Sequence, residues 1–81
     1  MNETTTSAPD PVALARVRHL VASGTAKHVR VSAEVSQVEI AQAIGVTHAA
    51  ISNWENGIRK PRGHAALRYL AVLDGLMGRA S

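Results

Sequence analysis

Several residue types on which common functions depend are scarce in, or missing from, this 81-residue chain. It has no cysteine, which excludes disulfides, a thiol nucleophile and cysteine-ligated metal sites. It has no phenylalanine, one tryptophan and one tyrosine, so we expect helices packed through small aliphatic side chains rather than an aromatic core. No apolar run approaches the ~20 residues that a membrane span needs.

The first ten residues, MNETTTSAPD, also lack the basic and then apolar pattern of a secretory signal. We therefore expect a cytoplasmic protein. Residues 1–8 are polar and without periodicity, so they are predicted to form a disordered tail. The remaining residues, 9–81, are enough for one small domain.

Capping signals and apolar periodicity predict an all-α fold of about five helices. Asp10 is a good N-cap and Pro11 suits the first helical position, so a first helix begins there. Gly24 is suited to end it, with Ser23 or Thr25 capping the second helix, although one bent helix is an alternative. The expected spans are about residues 10–23, 25–34, 36–44, 47–55 and 64–77.

The apolar residues of these helices predict which faces are buried. On the second helix we expect Ala26, Val29 and Ala33 to be buried, and Lys27 and Arg30 to point outward. The segment HVRVSAEV also alternates as a strand would, but the pattern is short and ambiguous. The last helix carries a wide apolar stripe of Leu67, Leu70, Leu73 and Met77, flanked by Ala66, Tyr69 and Leu76.

The segment Ser36–Gly57 has the pattern of two short helices joined by a tight turn. Counted from Gln37, Ala41 is fifth, Gly45 ninth and Ile51 fifteenth. A small fifth residue lets the helices cross closely, a glycine at the ninth turns the chain, and the branched fifteenth packs over the small one. Helix, short turn and helix in this spacing match a DNA-binding arrangement.

This segment resembles the Cro/repressor-type helix-turn-helix family, often labelled XRE, over about residues 29–73. The matching features are Ser36-Gln37 at the start, Ala41, Gly45-Val46 at the turn, Trp54-Glu55-Asn56-Gly57 at the end and Pro61 beyond it. The resemblance implies a lambda-repressor-like bundle. Two features depart from the family pattern: Glu34 stands where a glycine commonly ends the preceding helix, and the helix at 10–23 lies outside the usual core.

By resemblance, the helix at 47–54 enters the major groove with its N-terminal end first. His48 would then hydrogen-bond a purine N7 or O6, Ala49 would pack on a thymine methyl, and Asn53 would pair with adenine. Gln37 and the helix N-terminus around it would meet a phosphate. The DNA-binding residues so implied are Gln37, Thr47, His48, Ala49, Ser52, Asn53, Asn56, Arg59 and Lys60.

The charge distribution supports nucleic-acid contact. The net charge is +3, and the sequence beyond Asn56 contains five basic residues but only one acidic residue, Asp74. Basic charge beside a DNA-reading unit attracts phosphates. These basic residues are Arg59, Lys60, Arg62, Arg68 and Arg79, with Arg62 a weaker contact candidate.

Structural roles compete with some of these assignments. Thr47 is first a helix cap, Trp54 is a core residue rather than a stacking platform, Glu39 is a capping carboxylate, and Glu55 is a local ion-pair partner. No nucleophile–base pair or phosphate loop is present, so an enzyme is not expected. The four histidines lack metal-ligand spacing, and neither a metal nor a cofactor is expected: His19, His28, His48 and His64.

The sequence therefore predicts a sequence-specific regulator that binds double-stranded DNA, either a Cro-like or an antitoxin-type repressor. The alternative is a protein–protein interaction module that keeps the fold without reading DNA, because the reading helix is only weakly basic and contains no Arg or Gln. Family members usually dimerise on two-fold operators. The last helix or the first helix would supply a homodimer surface, or both close the monomer core; the sequence leaves these open.

Overall fold

The computed structural model describes residues 8–80, with side chains to residue 78. Apart from Ala8, which is exposed, the tail predicted at residues 1–8 lies outside the described residues. The described chain contains no strand, and the ambiguous HVRVSAEV segment is helical up to Ser32, so the all-α prediction is confirmed. The helices are α1 (Pro11–Ala22), α2 (Thr25–Ser32), α3 (Gln37–Ile44), α4 (His48–Glu55) and α5 (Gly63–Ala80).

The first two helices are separate rather than one bent helix. Asp10 caps α1 by accepting a hydrogen bond from the Val12 N–H at 3.0 Å. Gly24 has a φ of 83°, a left-handed conformation that breaks the helical path and suits glycine. Gly24 is itself the N-cap of α2, so the prediction of Ser23 or Thr25 in that role was wrong; their hydroxyls bond to each other at 2.8 Å.

The end of α2 explains how the chain accommodates Glu34 in place of a glycine. Glu34 has a φ of 60° and adopts the left-handed conformation itself. The N–H groups of Glu34 and Val35 donate to the carbonyls of Val31 and Arg30, at 3.0 and 3.1 Å. This is the Schellman pattern of helix ends, formed here by a residue that pays a steric cost glycine would not.

A single apolar core joins all five helices. α1 packs against α2, α4 and α5, and α5 also contacts α2 and α3, so the extra first helix is an integral part of the domain. Ala33, expected to be buried, is exposed because α2 ends before it. The core residues are Val17, Leu20, Val21, Ala26, Ile40, Ala41, Ile44, Ile51, Trp54, Ala66, Tyr69 and Leu73.

The buried face of α5 is rotated relative to the prediction. Its fully buried residues are Ala66, Tyr69 and Leu73, whereas Leu67 and Leu70 are only half-buried. The apolar stripe of α5 is wider than the face that the neighbouring helices can cover. Apolar periodicity alone therefore located the buried face only to within about one residue.

Trp54 and Tyr69 form the aromatic centre of this core. Their ring centroids lie 5.0 Å apart with a 37° tilt, and the prediction that Trp54 is a core residue is confirmed. The Tyr69 hydroxyl is buried without a hydrogen-bond partner among the described residues. Burial raises the pKa of Tyr69 to about 12.

Two arginines fix the helix-turn-helix to its surroundings through backbone carbonyls. Arg68 Nε donates to the carbonyl of Ile44, at the C-terminus of α3, over 2.9 Å. Arg18 Nε donates to the carbonyl of the buried Pro61 over 2.9 Å, which ties the loop after α4 to α1. The basic charge of Arg68, expected to attract phosphates, is therefore engaged in capping a helix.

Candidate nucleic-acid interface

The unit of α3, turn and α4 is defined by its caps. Ser36 Oγ accepts from the Glu39 N–H at 3.0 Å, and the Glu39 carboxylate accepts from the Ser36 N–H at 2.8 Å, which confirms the capping box. Gly45 turns the chain with a φ of 77°. Thr47 Oγ1 accepts from the Ala50 N–H at 3.1 Å and caps α4, as predicted.

The close crossing of the two helices agrees with the expected roles of Ala41 and Ile51. α3 and α4 pack directly against each other, and both side chains lie in the core between them. With Ile51 and Trp54 turned inward, the opposite side of α4 carries the residues available to a partner.

The predicted contact residues on α4 differ in how freely they project. His48 and Ala49, at the N-terminal end, are exposed, whereas Ser52 and Asn53 are half-buried. Thr47 is exposed as well, but its hydroxyl is used in the cap. The end of α4 that is expected to enter the groove first is therefore its most accessible part.

The chain after α4 forms a turn stabilised by Asn53. Its carbonyl accepts from the N–H groups of Ile58 and Arg59, at 2.9 and 3.3 Å. Asn56 is exposed, and its Nδ2 donates to Ser52 Oγ at 3.3 Å. This turn places the start of the basic loop against the C-terminal part of α4.

The basic loop presents unpaired charge. Arg59, Lys60 and Arg62 are all exposed, and their side chains form no hydrogen bond or ion pair with any described residue. The loop is held in place by the hydrogen bond from Arg18 to the carbonyl of Pro61, which lies between Lys60 and Arg62 in the chain. Free cations on an anchored loop are suited to contact phosphates.

Gln37 and His48 belong to a hydrogen-bonded cluster that also contains a buried ion pair. Arg30 Nε and Nη2 donate to the two carboxylate oxygens of Glu55, at 2.6 and 2.9 Å, and Nη1 donates to the Val35 carbonyl at 3.0 Å. Gln37 Nε2 donates to Glu55 Oε1 at 2.9 Å. Gln37 Oε1 lies 2.7 Å from His48 Nε2, so the cluster links α2, α3 and α4.

The roles expected of Arg30 and Glu55 were both wrong. The Arg30 side chain is 11% exposed and turns inward, and Glu55 pairs with it across 25 positions rather than locally. The sequence contains little indication of this pair. Arg30 lies next to the half-buried Val29, and its position on α2 is compatible with a side chain that points outward or inward. The tertiary approach of α2 to the end of α4 decides it.

The ion pair governs the protonation of both partners. Burial acts to raise the pKa of Glu55, but hydrogen bonds from Arg30 and Gln37 outweigh it and hold that pKa below its usual range. The hydrogen bond to Glu55 raises the pKa of Arg30. Both groups are therefore charged at neutral pH, and both carboxylate oxygens of Glu55 have a donor.

The N-terminus of α3 has its side chains already engaged. The Gln37 side chain is half-buried and bonded at both ends of its amide, to Glu55 and His48. Glu39, an anion at the same helix end, has its pKa lowered by hydrogen bonds with Ser36. The groups that remain for a phosphate here are the backbone N–H groups of Gln37 and Val38 and the second amide hydrogen of Gln37, because the Glu39 N–H is bonded to Ser36.

Residues 8–80 form neither a cluster of metal ligands nor a helix suited to a membrane. No three His, Asp or Glu side chains in this part of the chain converge as metal ligands would. None of its helices combines the length and apolar character that crossing a membrane requires.

Comparison with known proteins agrees with this geometry. A family model described as helix-turn-helix matches residues 27–75, more than half of the chain and the whole of α3, the turn and α4. Neither the curated proteins nor the solved structures gave a significant match. Together with the five-helix fold, the match shows that the chain belongs to the Cro/C1-type, or XRE, helix-turn-helix family of DNA-binding regulators.

Proposed function

We propose that this protein is a sequence-specific regulator of transcription, a Cro-like or antitoxin-type repressor that inserts α4 into the major groove of double-stranded DNA. The observation that carries the proposal is the exposure of His48 and Ala49 at the N-terminal end of α4. The rest of the helix is fixed by the burial of Ile51 and Trp54. A protruding, rigidly held helix end is what base readout requires.

Base and backbone contacts divide between two groups of residues. His48, Ala49 and Asn53 face the base edges, and shape-dependent readout adds to them because α4 carries no Arg, Lys or Gln. The residues proposed to contact DNA are Gln37, Thr47, His48, Ala49, Ser52, Asn53, Asn56, Arg59 and Lys60. Such a protein acts in the cytoplasm, where its operator lies, by occupying DNA rather than by catalysis.

We further propose that it binds as a homodimer on a two-fold operator with half-sites ~34 Å apart. α2 and the end of α5 border an apolar groove of about 590 Å³ that includes Val29, Val35, Leu76 and Met77. These side chains are only half-buried in one chain. A second copy covering them would remove further apolar area from water.

Selection from random duplexes, followed by affinity measurements over a range of salt concentrations, tests the proposal. We expect a palindromic site, and a log–log salt dependence with a slope of roughly 0.9 per neutralised phosphate. Sedimentation in the absence of DNA reports whether the dimer forms beforehand. A shallow salt dependence with no selected sequence would instead indicate a protein–protein interaction module.

A further inference from the structure

The cluster of Arg30, Glu55, Gln37 and His48 has a fixed direction of hydrogen bonding. Arg30 donates to both oxygens of Glu55, and the Gln37 amide lies between Glu55 and His48. An ionised carboxylate has only acceptors, so the part of the Gln37 amide that faces Glu55 must be its NH₂ group. The carbonyl oxygen of the same amide must then face His48.

The orientation of Gln37 determines where His48 carries its proton. A carbonyl oxygen only accepts hydrogen bonds, so the 2.7 Å contact between Gln37 Oε1 and His48 Nε2 requires a proton on Nε2. In the neutral imidazole the other nitrogen, Nδ1, is then an acceptor. His48 is exposed, and its Nδ1 makes no hydrogen bond with any described residue.

We propose that Glu55, acting through Gln37, fixes neutral His48 in its Nε2–H tautomer, so that His48 offers DNA an acceptor at Nδ1. The proposal rests on the proposed function of α4. Amino groups of adenine N6 and cytosine N4 are the donors of the major groove, whereas purine N7 and guanine O6 are acceptors. His48 therefore selects a base amino group, and Glu55 is a positioning residue that does not touch DNA.

The tautomer is measured first, in the free protein. Two-bond ¹H–¹⁵N spectra of the ¹⁵N-labelled chain at about pH 8, where imidazole is ordinarily neutral, distinguish the two ring nitrogens. A His48→Ala spectrum identifies the signals among the four histidines. We expect a protonated Nε2 and an unprotonated Nδ1; the Nδ1–H form, or a mixture, overturns the proposal.

Gln37→Met tests whether the cluster causes the tautomer. Methionine has a similar length and lacks the amide oxygen, and the substitution leaves both residues of the Arg30–Glu55 pair in place. We expect the His48 ring to become a mixture of tautomers. Glu55→Gln is expected to do the same, because the Gln37 amide is then free to turn; a pure Nε2–H ring in both variants contradicts the proposed role of Glu55.

The base contact is tested on the selected operator with modified bases. The base pair read by His48 is the one whose preference His48→Ala loses. Replacing its adenine by purine, or its cytosine by 2-pyrimidinone, deletes the amino group and should weaken binding about three- to tenfold, the value of one hydrogen bond. A 7-deaza purine at that pair, which lacks N7, should bind as well as the normal base.

The two proposals fail in different ways. A loss of affinity with the 7-deaza base, and none with the base lacking its amino group, overturns the acceptor role of Nδ1 while DNA binding itself stands. If no duplex sequence is selected, the proposed function fails and the base contact with it. The ring spectrum decides the tautomer in either case.

Discussion

Arg30 and Glu55 form a two-point ion pair between α2 and the end of α4, with Nε–Oε2 and Nη2–Oε1 distances of 2.6 and 2.9 Å. The Glu55 side chain is 1% exposed, so the carboxylate depends on its protein donors. The pair joins the helix that precedes the helix-turn-helix to the last residue of the proposed reading helix. The same ion pair therefore contributes both to the stability of the domain and to the orientation of α4.

Arg30→Met should lower the free energy of unfolding by about 3–5 kcal/mol, because it leaves a buried carboxylate without its cation. Chemical denaturation monitored by circular dichroism measures the change. Arg16→Met is the matched control, since the Arg16–Asp74 pair is as short, at 2.6 Å, but about half exposed. An exposed pair contributes about 0–1 kcal/mol. Equal losses in the two variants would contradict the special role of burial.

The lowered pKa of Glu55 predicts acid sensitivity. A carboxyl whose pKa is lower in the folded than in the unfolded chain stabilises the fold fully above its unfolded value, about 4.5 for Glu55. That contribution is lost as the pH falls through the folded value. The pKa of Glu39 is also lowered, so Glu39 contributes to the pH dependence in the same direction. Denaturation between pH 7 and pH 3 should therefore show stability falling below about pH 4.5, and less steeply in Glu55→Gln. An equal pH dependence in both proteins would exclude Glu55 as a source.

Ala41→Leu should destabilise the domain by about 1–3 kcal/mol or more, because the larger side chain overpacks the crossing of α3 and α4. Ala41 is 3% exposed, whereas Ala43 on the same helix is exposed and provides the control, Ala43→Leu. Thermal unfolding of both variants measures the difference. A stable, DNA-binding Ala41→Leu protein would show that the helices do not need this close approach.

Local signals in the sequence were sufficient for most of the fold. Asp10, Ser36 and Thr47 act as N-caps where their side chains predicted, and the buried positions of Ala41 and Ile51 followed from their spacing. These features depend on residues a few positions apart, or on one helix crossing. The exposure of the N-terminal end of α4 could also be predicted from the Thr47 cap and the spacing of the buried residues.

The cluster around Glu55 could not be predicted in the same way. Its hydrogen bonds join residues 11 to 25 positions apart, and nothing local indicates that Arg30 turns inward. The rotated face of α5 has the same origin, since the packing of α1 and α2 selects which part of a wide apolar stripe is covered. Charged groups that bond across helices, and helices with broad apolar faces, depend on the assembled fold.

Glu34→Gly should stabilise the domain by roughly 0.5–1 kcal/mol. A non-glycine residue in the left-handed conformation costs about 1–2 kcal/mol, and the greater freedom of glycine in the unfolded chain offsets part of the gain. Glu34 is exposed, so little packing is lost. Glu34→Ala keeps the strained φ of 60° and should give no such gain. If both variants were equally stabilised, the effect would come from removing the charge.

Lys60→Ala and His48→Ala should weaken DNA binding in different ways. Lys60, on the loop held by Arg18, is proposed to contact phosphate, so its removal should reduce affinity for all sequences alike and lower the salt slope by about one. His48→Ala should instead relax base preference at one position by ~1–3 kcal/mol and leave the salt slope unchanged. Arg16→Ala, which removes the same charge from α1, controls for net charge. The opposite result is that Lys60→Ala loses sequence preference while His48→Ala selects an unchanged site. Lys60 would then contact a base and His48 would not, so α4 would have to lie differently on the duplex.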